Sequence, residues 1–277
     1  MTNRHSPCGF LSKTILERYK RRLLELGIGI RPNTVLGGDL TISDLFRDGY
    51  ETVFIGTGTW RPKKLGLHGE SLSNVHFGIS FLANPSAYTL GRTVAIIGMG
   101  NVAMDVARTA FRNGAERVML FARGKRIAAS ENEVAYTKLD GAEFIFGRSI
   151  QRITEDGPVF KVAKLDEDGQ VIGYEEEEEQ VHADTTIIAI SQGPKNKLIL
   201  TTAGLEGNDK GLLITDENCM TTREGVFAAG DVVLGSMTVA HAVAEAKGCR
   251  RGDDKVHGKM TTVCASGLVA CNISFVF

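Results

Sequence analysis

Glycines carry the first chemical signal in this chain. Thr93-Val94-Ala95-Ile96-Ile97 runs into Gly98-Met99-Gly100, and Asn101-Val102-Ala103-Met104-Asp105-Val106-Ala107 comes next. That spelling predicts a buried strand, a tight turn and a helix. Such a turn aims backbone N–H groups at the pyrophosphate of a dinucleotide. Gly98 permits the turn, Gly100 lets the backbone approach the phosphates, and Ala103 packs the helix on the strand. Asn101 and Val102 open the helix and complete the cradle.

A second group refines the ligand. The strand Arg117 to Ala122 should bring its C-terminal end beside the turn, and Arg123-Gly124-Lys125-Arg126 comes after it. A site for the ribose of NAD(H) would place Asp or Glu here, and the chain places none. A guanidinium pairs with a 2′-phosphate bidentately, whereas a carboxylate repels it. Arg123, assisted by Lys125 or Arg126, therefore predicts NADP(H). The plainer reading is that these are exposed loop charges. A third group is Gly225-Val226-Phe227-Ala228-Ala229-Gly230-Asp231, a short strand that delivers an Asp ahead of a helix near Thr238 to Lys247. The plainer reading of Asp231 is a helix cap.

The elements that position these groups are read from periodicity. Ile15, Leu16, Tyr19, Leu23 and Leu26 form one stripe of a helix over Ser12 to Leu26, ended by Gly27. Leu40 to Phe46 reads as one helical turn, and Thr52 to Ile55 as a buried strand. Helices are expected near Val102 to Arg112 and Glu131 to Leu139, and strands at Phe144 to Phe146 and Thr186 to Ile190. Short strands are expected at Leu212 to Ile214 and Val226 to Ala229. Pro158 to Leu165 and Val171 to Tyr174 form a hairpin through Asp166-Glu167-Asp168-Gly169. The five glutamates from Glu175 to Glu179 read as a solvated edge. Alternating strands and helices give an α/β class with doubly wound parallel sheets.

Composition narrows the function classes. The 277 residues are 43% hydrophobic with a net charge of −1, so no broad field attracts nucleic acid or an anionic membrane. The cluster Arg18, Lys20, Arg21, Arg22 is read as a solvated helix face. Cys8, Cys219, Cys249, Cys264 and Cys271 form no C-x-x-C pair, which argues against a redox dithiol or a metal centre held by this chain. That scatter suits a reducing cytoplasm. Met1 to Lys13 has no apolar core for a signal peptide, and the tail from Val263 is too short to span a bilayer.

Taken together, the motifs resemble the flavoproteins with two dinucleotide-binding domains, most closely the small (beta) subunits of NADPH-dependent glutamate synthase. Gly98 to Arg108 is similar to that family's NADPH turn. Thr52-Val53-Phe54-Ile55-Gly56-Thr57-Gly58-Thr59-Trp60-Arg61-Pro62 resembles its crossover from the FAD domain, and Ala189-Ile190-Ser191-Gln192-Gly193-Pro194 its return. The resemblance implies a Rossmann-like NADPH domain over residues 88–200. It would be inserted in an incomplete FAD-binding domain made of residues 1–87 and 201–250, with an irregular tail at 251–277. It implies cofactor contacts at Gly56, Thr57, Gly58, Gln192 and Gly193 in the crossovers, and at Gly230, Asp231, Met237, Thr238 and Val239 on the FAD side. Asp231 would serve the ribityl chain and Met237-Thr238-Val239 the flavin-facing helix start. No catalytic side chain and no metal ligand are implied, and His241 is not read as catalytic.

The chain also departs from that family. Nothing before Thr52 has its first G-x-G-x-x-G turn, so at least one βαβ unit is expected to be missing and the chain reads as N-terminally truncated. The family's cysteine-rich iron–sulfur region is absent. The implied activity is hydride transfer from NADPH to FAD, with electrons passed to an iron–sulfur-containing partner such as the large glutamate synthase subunit, in glutamate biosynthesis. A ferredoxin-type reductase and a non-catalytic NADP(H)-binding fragment are the alternatives.

Overall fold

The computed structural model describes residues 13–29, 31, 33–237 and 240–247, with the backbone of 263–264 and 268–269. Two compact units divide the chain. One comprises Pro62–Ser191, and the other combines the described residues through Arg61 with those from Gln192 onward.

The second unit opens with α1 (Lys13–Glu25) and α2 (Ile42–Arg47). A reciprocal capping box starts α2. Thr41 Oγ1 accepts the Asp44 N–H at 3.1 Å, and the Asp44 carboxylate accepts the Thr41 N–H at 2.9 Å. These bonds, Thr41's hydroxyl first, hold the Asp44 carboxyl below the usual carboxylate range. Strand β1 (Val53–Ile55) comes next. The stripe expected of α1 is not buried: Tyr19 is 60% and Leu26 65% exposed.

The unit Pro62–Ser191 begins with β2 (Val75–Phe77) and α3 (Gly78–Ala83), neither of which the periodicity indicates. It continues with β3 (Thr93–Ile97), α4 (Asn101–Arg112), β4 (Arg117–Phe121), α5 (Glu131–Leu139) and β5 (Glu143–Ile145). Then come β6 (Arg148–Thr154), β7 (Gly157–Leu165), β8 (Val171–Gln180) and β9 (Thr185–Ile188). Five strands form a parallel sheet in the order β2-β9-β3-β4-β5. Both faces are covered, which is why its strands read as unbroken apolar runs. Val94, Ile96, Val118, Leu120 and Ile187 face a core shared with Phe81 of α3 and Met104, Val106 and Ala107 of α4. Ala95, Ile97, Met119 and Phe121 face Phe160 of the antiparallel sheet β6-β7-β8. The Phe121 and Phe160 rings stack with centroids 4.5 Å apart. The second face is thus closed by strands rather than helices.

The other unit resumes with α6 (Lys197–Thr201), β10 (Val226–Ala228), α7 (Asp231–Leu234) and a helix over 240–247, α8. Strands β11 (Val263–Cys264) and β12 (Leu268–Val269) pair antiparallel, so the tail expected to be irregular contains one short ladder. Strand β1 pairs parallel with β10, Val53 opposite Val226. The core around this pair contains Leu36, Ile42, Leu45, Ile55, Leu198 and Leu213. Leu213 takes part only in an isolated bridge to Gly207, not in the strand expected at Leu212 to Ile214.

The division falls at 61/62 and 191/192, where the resemblance implies 87/88 and 200/201. Strand β2 pairs with β9, which draws residues 62–87 to the parallel sheet. Leu198 of α6 packs in the other core, which draws residues 192–200 away from it. Cys219 is disulfide-bonded, which the reading of scattered reduced cysteines did not anticipate.

Candidate functional site: a glycine turn and a cationic loop

The turn after β3 is built by close approach. Gly98 has φ +133°, and a Cβ there would lie 2.4 Å from the Ala189 carbonyl oxygen beyond β9. Its N–H donates to Phe121 O at 3.0 Å. Only glycine combines this backbone with that contact. Gly100 differs: its φ is ordinary, and a Cβ would meet nothing within 4 Å. The space in front of Gly100 is open for another molecule.

Gly100 is the N-cap of α4, and no side chain caps it. The first N–H groups of this 12-residue helix therefore face outward, with the positive end of the helix dipole behind them. Ala103 is fully buried against the sheet, where a larger side chain would force the helix away. Val102 is half-buried. Asn101 Oδ1 accepts the Ser130 N–H at 2.9 Å, so that side chain braces a neighbouring loop.

That loop carries the cations. It leaves β4 at Ala122 and returns to Met99, whose carbonyl accepts the Ala128 and Ala129 N–H groups at 3.0 and 3.2 Å. Arg123, Lys125 and Arg126 lie between, all three at the surface. Among the described residues none of the three pairs with a carboxylate. The turn and the loop thus present open N–H groups and free positive charge, a set suited to a dinucleotide with an additional phosphate.

One charged cluster beside the turn escaped sequence reasoning. Asp105, one turn into α4, is half-buried and its carboxyl is pushed up to about 6. Burial is the main cause, Glu133 adds to it, and Arg108 and Arg112 oppose it. Arg108 joins α4 to α5: it reaches Asp140 at 2.8 Å and Glu133 at 3.7 Å, and lies over the Tyr136 ring at 5.3 Å. The Asp105–Arg108 spacing of one helical turn was the available signal.

The residues assigned by resemblance to the crossovers and to FAD lie mostly in the other unit. Gly56, Thr57 and Gly58 come directly after β1, but no helix succeeds them. The buried Thr59 hydroxyl bonds Ser236 at 2.8 Å. Gln192 and Gly193 form a two-residue strand and are half-buried. Gly230 has φ +78° and donates its N–H to Glu245 Oε2 of α8 at 3.0 Å. Asp231 starts α7 and accepts the Met237 N–H on Oδ1 at 3.1 Å, so one carboxylate oxygen closes a local turn. The helix expected near Thr238 to Lys247 is α8, over 240–247, and the short α7 that precedes it, ended by Gly235 at φ +86°, is an addition. Thr238 and Val239 lie outside the described residues. For a flavin dinucleotide the fit is incomplete: among the described residues this unit has no Gly-x-Gly turn that leads from a strand into a helix, since Gly56-Thr57-Gly58 is followed by no helix and Gly230 stands alone before the four-residue α7.

Among the described residues no group of three or more His, Cys, Asp or Glu could hold a metal ion. No described helix is long and apolar enough to cross a membrane.

A parallel sheet with an uncapped helix behind a glycine turn defines a dinucleotide-binding α/β protein. Comparison with known proteins agrees. Residues 13–246 match the family described as pyridine nucleotide-disulphide oxidoreductase, and the chain belongs to that family. It is 31% identical over 273 residues to the glutamate synthase [NADPH] small chain of Halomonas elongata, covering 87% of this chain and 57% of that one. It is 32% identical over 254 residues to the NADP(+)-dependent formate dehydrogenase subunit beta of Moorella thermoacetica, covering 85% of this chain and 36% of the relative. The chain spans about half the length of the glutamate synthase small chains it matches. Among solved structures, Mycobacterium tuberculosis FprA in complex with NADPH shares the fold at TM-score 0.67 and 17% identity, over 88% of this chain and 71% of FprA. T. acidophilum thioredoxin reductase does so at TM-score 0.58 and 23% identity, over 74% and 66%.

Proposed function

We propose that this chain is the NADP(H)-binding portion of an NADPH-dependent flavin oxidoreductase of the glutamate synthase small-chain type. The observation that carries this reading is the open N-terminus of α4 behind Gly100, flanked by three free cations on the loop after β4. Gly100, Asn101 and Val102 would hold the pyrophosphate, with Ala103 packing the helix on the sheet beneath them, and Arg123 with Lys125 or Arg126 would hold the 2′-phosphate. When bound, NADPH supplies a hydride, and the cofactor rather than an acid–base side chain carries the reaction. The task of this chain is to bind and orient it.

Family membership and the named glutamate synthase relatives support FAD as the hydride acceptor. Gly230 and Asp231 fit the ribityl end of that role, but the described residues of their unit show no second Gly-x-Gly turn into a helix, so no step through flavin is derived. Names such as small chain and subunit beta support an onward electron acceptor on a partner subunit, for which an iron–sulfur protein is proposed. A cytoplasmic location goes with this reading. The incomplete flavin fit favours one second reading, an NADP(H)-binding fragment without flavin chemistry.

Titration of the purified chain with NADPH and NADH tests the first proposal. Preferential NADPH binding is expected, and equal affinity for the two removes the phosphate site. Flavin absorbance of the same preparation separates the readings: a yellow protein supports the oxidoreductase, and a colourless one that binds NADPH supports the fragment.

A further inference from the structure

The loop that bears Arg123, Lys125 and Arg126 is fastened in three places. At its start, the Ala122 N–H donates to Ile145 O at 3.0 Å, and Ala122 O accepts the Arg148 N–H at 2.9 Å. At its end, Met99 O and Asn101 Oδ1 accept the N–H groups of residues 128–130. Its middle is held from outside the sheet. The Lys125 N–H donates to Gly169 O, in the turn between β7 and β8, at 3.2 Å.

Gly169 is unusual for a hairpin turn. It is buried, while its neighbours Asp168 and Gln170 are exposed. Lys125 covers it: a Cβ on Gly169 would lie 2.6 Å from Lys125 Cβ and 2.9 Å from Cγ and Cδ. The loop side is equally close, since a Cβ on Gly124 would lie 3.0 Å from Gly169 O. Two glycines meet here, and the stem of Lys125 lies across the junction.

The turn is itself braced. Asp166 O accepts the Gly169 N–H at 3.0 Å, and Asp166 Oδ1 accepts the Gln170 N–H at 2.7 Å. Strand β7 carries the turn, and its Phe160 stacks on Phe121 of β4, the strand that feeds the loop. Turn and loop share one packed base.

We propose that the β7–β8 turn is a latch for coenzyme selectivity, with Gly169 the positioning residue that holds the Lys125 segment so that the loop cations meet a 2′-phosphate together. This rests on the assignment of Arg123 to that phosphate. A latched loop arrives ordered, so less of its binding free energy is spent on immobilising it. The hairpin therefore influences which coenzyme binds without touching it.

Calorimetric titration of the 277-residue chain with 2′,5′-ADP and with 5′-AMP tests the latch, because only the first carries the discriminating phosphate. Gly169→Ala should weaken 2′,5′-ADP roughly three- to tenfold, the worth of one hydrogen bond, and leave 5′-AMP unchanged. Gly141→Ala is the control. Gly141 is also left-handed, at φ +96°, but a Cβ there meets nothing within 4 Å, so both affinities should persist. If Arg123→Glu loses 2′,5′-ADP affinity and Gly169→Ala retains it, the latch is overturned and the phosphate site stands. If Arg123→Glu retains it, the site assignment falls and the latch with it. Should Gly169→Ala not fold, Lys125 decides. Lys125→Met keeps the stem without the charge, and Lys125→Gly removes both. The latch requires Lys125→Gly to bind 2′,5′-ADP more weakly than Lys125→Met, and equal affinities overturn it.

Discussion

Two strands in this chain end in Gly-x-Gly, and they lead to different structures. Strand β3 runs into Gly98-Met99-Gly100, and α4 begins immediately. Strand β1 runs into Gly56-Thr57-Gly58, and the next regular element is a two-residue strand, Arg61–Pro62. Gly98 is required because a Cβ would strike the Ala189 carbonyl at 2.4 Å. Gly58, with φ +66°, meets nothing closer than Trp60 Nε1 at 3.5 Å. The first pair of glycines is a packed turn that points a helix at a ligand. The second is a corner that redirects the chain. The glycine spacing alone does not separate them, but the next four residues do. Asn101-Val102-Ala103-Met104 can wind a helix, whereas Thr59-Trp60-Arg61-Pro62 ends in a proline, which biases Arg61 to extended backbone.

The strongest way to break the first turn is Gly98→Ala. The new Cβ meets backbone, which cannot rotate away, and the φ is one that alanine resists. A loss of about 3 kcal/mol or more in denaturant unfolding is expected, together with NADPH binding. The matching change Gly58→Ala should cost about 1 kcal/mol, since only the left-handed backbone penalty applies. Equal losses at the two sites would erase the distinction drawn between them.

Next in size is Arg123→Glu, which replaces a cation at the expected 2′-phosphate by a like charge. A charge-assisted bond is worth about 1.5–3 kcal/mol, so NADPH affinity should fall tenfold or more while NADH affinity holds. An unchanged NADPH to NADH ratio in fluorescence titration removes Arg123 from the site.

The legibility of the chain obeys the same contrast. Strand β3, α4 and α5 were readable because local pattern and tertiary role agree: apolar runs become buried strands, and Asn113-Gly114 ends α4. Strand β2 and α3 were not, because Val75-His76-Phe77 is too short to show a period and is a strand only by pairing with β9. Strand β6 was missed because Arg148 and Arg152 interrupt its apolar pattern. Those arginines form ion pairs across the sheet, Arg148 with Glu179 at 2.6 Å and Arg152 with Glu178, so two of the five edge glutamates are paired. The glycine turn and loop cations were legible as a motif. The hold of Gly169 on Lys125 was not, since it joins positions forty-odd residues apart through contacts that no local pattern encodes.

Asp105 sharpens the comparison by pH. Its folded carboxyl titrates near 6, above the ordinary 3.8, so the folded state holds the proton more tightly than the unfolded state does. Its effect on stability is favourable at low pH and is lost as pH rises from about 4 through 6. Asp105→Asn removes that dependence. At pH 7 the variant should be more stable by on the order of 1 kcal/mol, after allowance for partial solvent screening. The difference should vanish near pH 4. A gain independent of pH would assign the effect to packing instead of charge.

The smallest change tests the other unit. Thr41→Ala removes the hydroxyl that accepts the Asp44 N–H and donates to its carboxylate, breaking the capping box of α2. The expected cost is about 1 kcal/mol in thermal or denaturant unfolding. Ile42 and Leu45 anchor α2 in the core around β1 and β10, so the loss should appear in hydrogen exchange of that core. It should leave 2′,5′-ADP binding untouched, because every residue assigned to that ligand lies within Pro62–Ser191. The pH dependence has the opposite sign to that of Asp105. Asp44 is depressed in the folded state, so its contribution is present above the ordinary carboxylate range and is lost as pH falls through the lowered value. The deficit of Thr41→Ala is therefore full at neutral pH and narrows on acidification. Weakened nucleotide binding in this variant would mean that the residues assigned to the ligand do not suffice to hold it, and the separation of roles between the two Gly-x-Gly segments would fail.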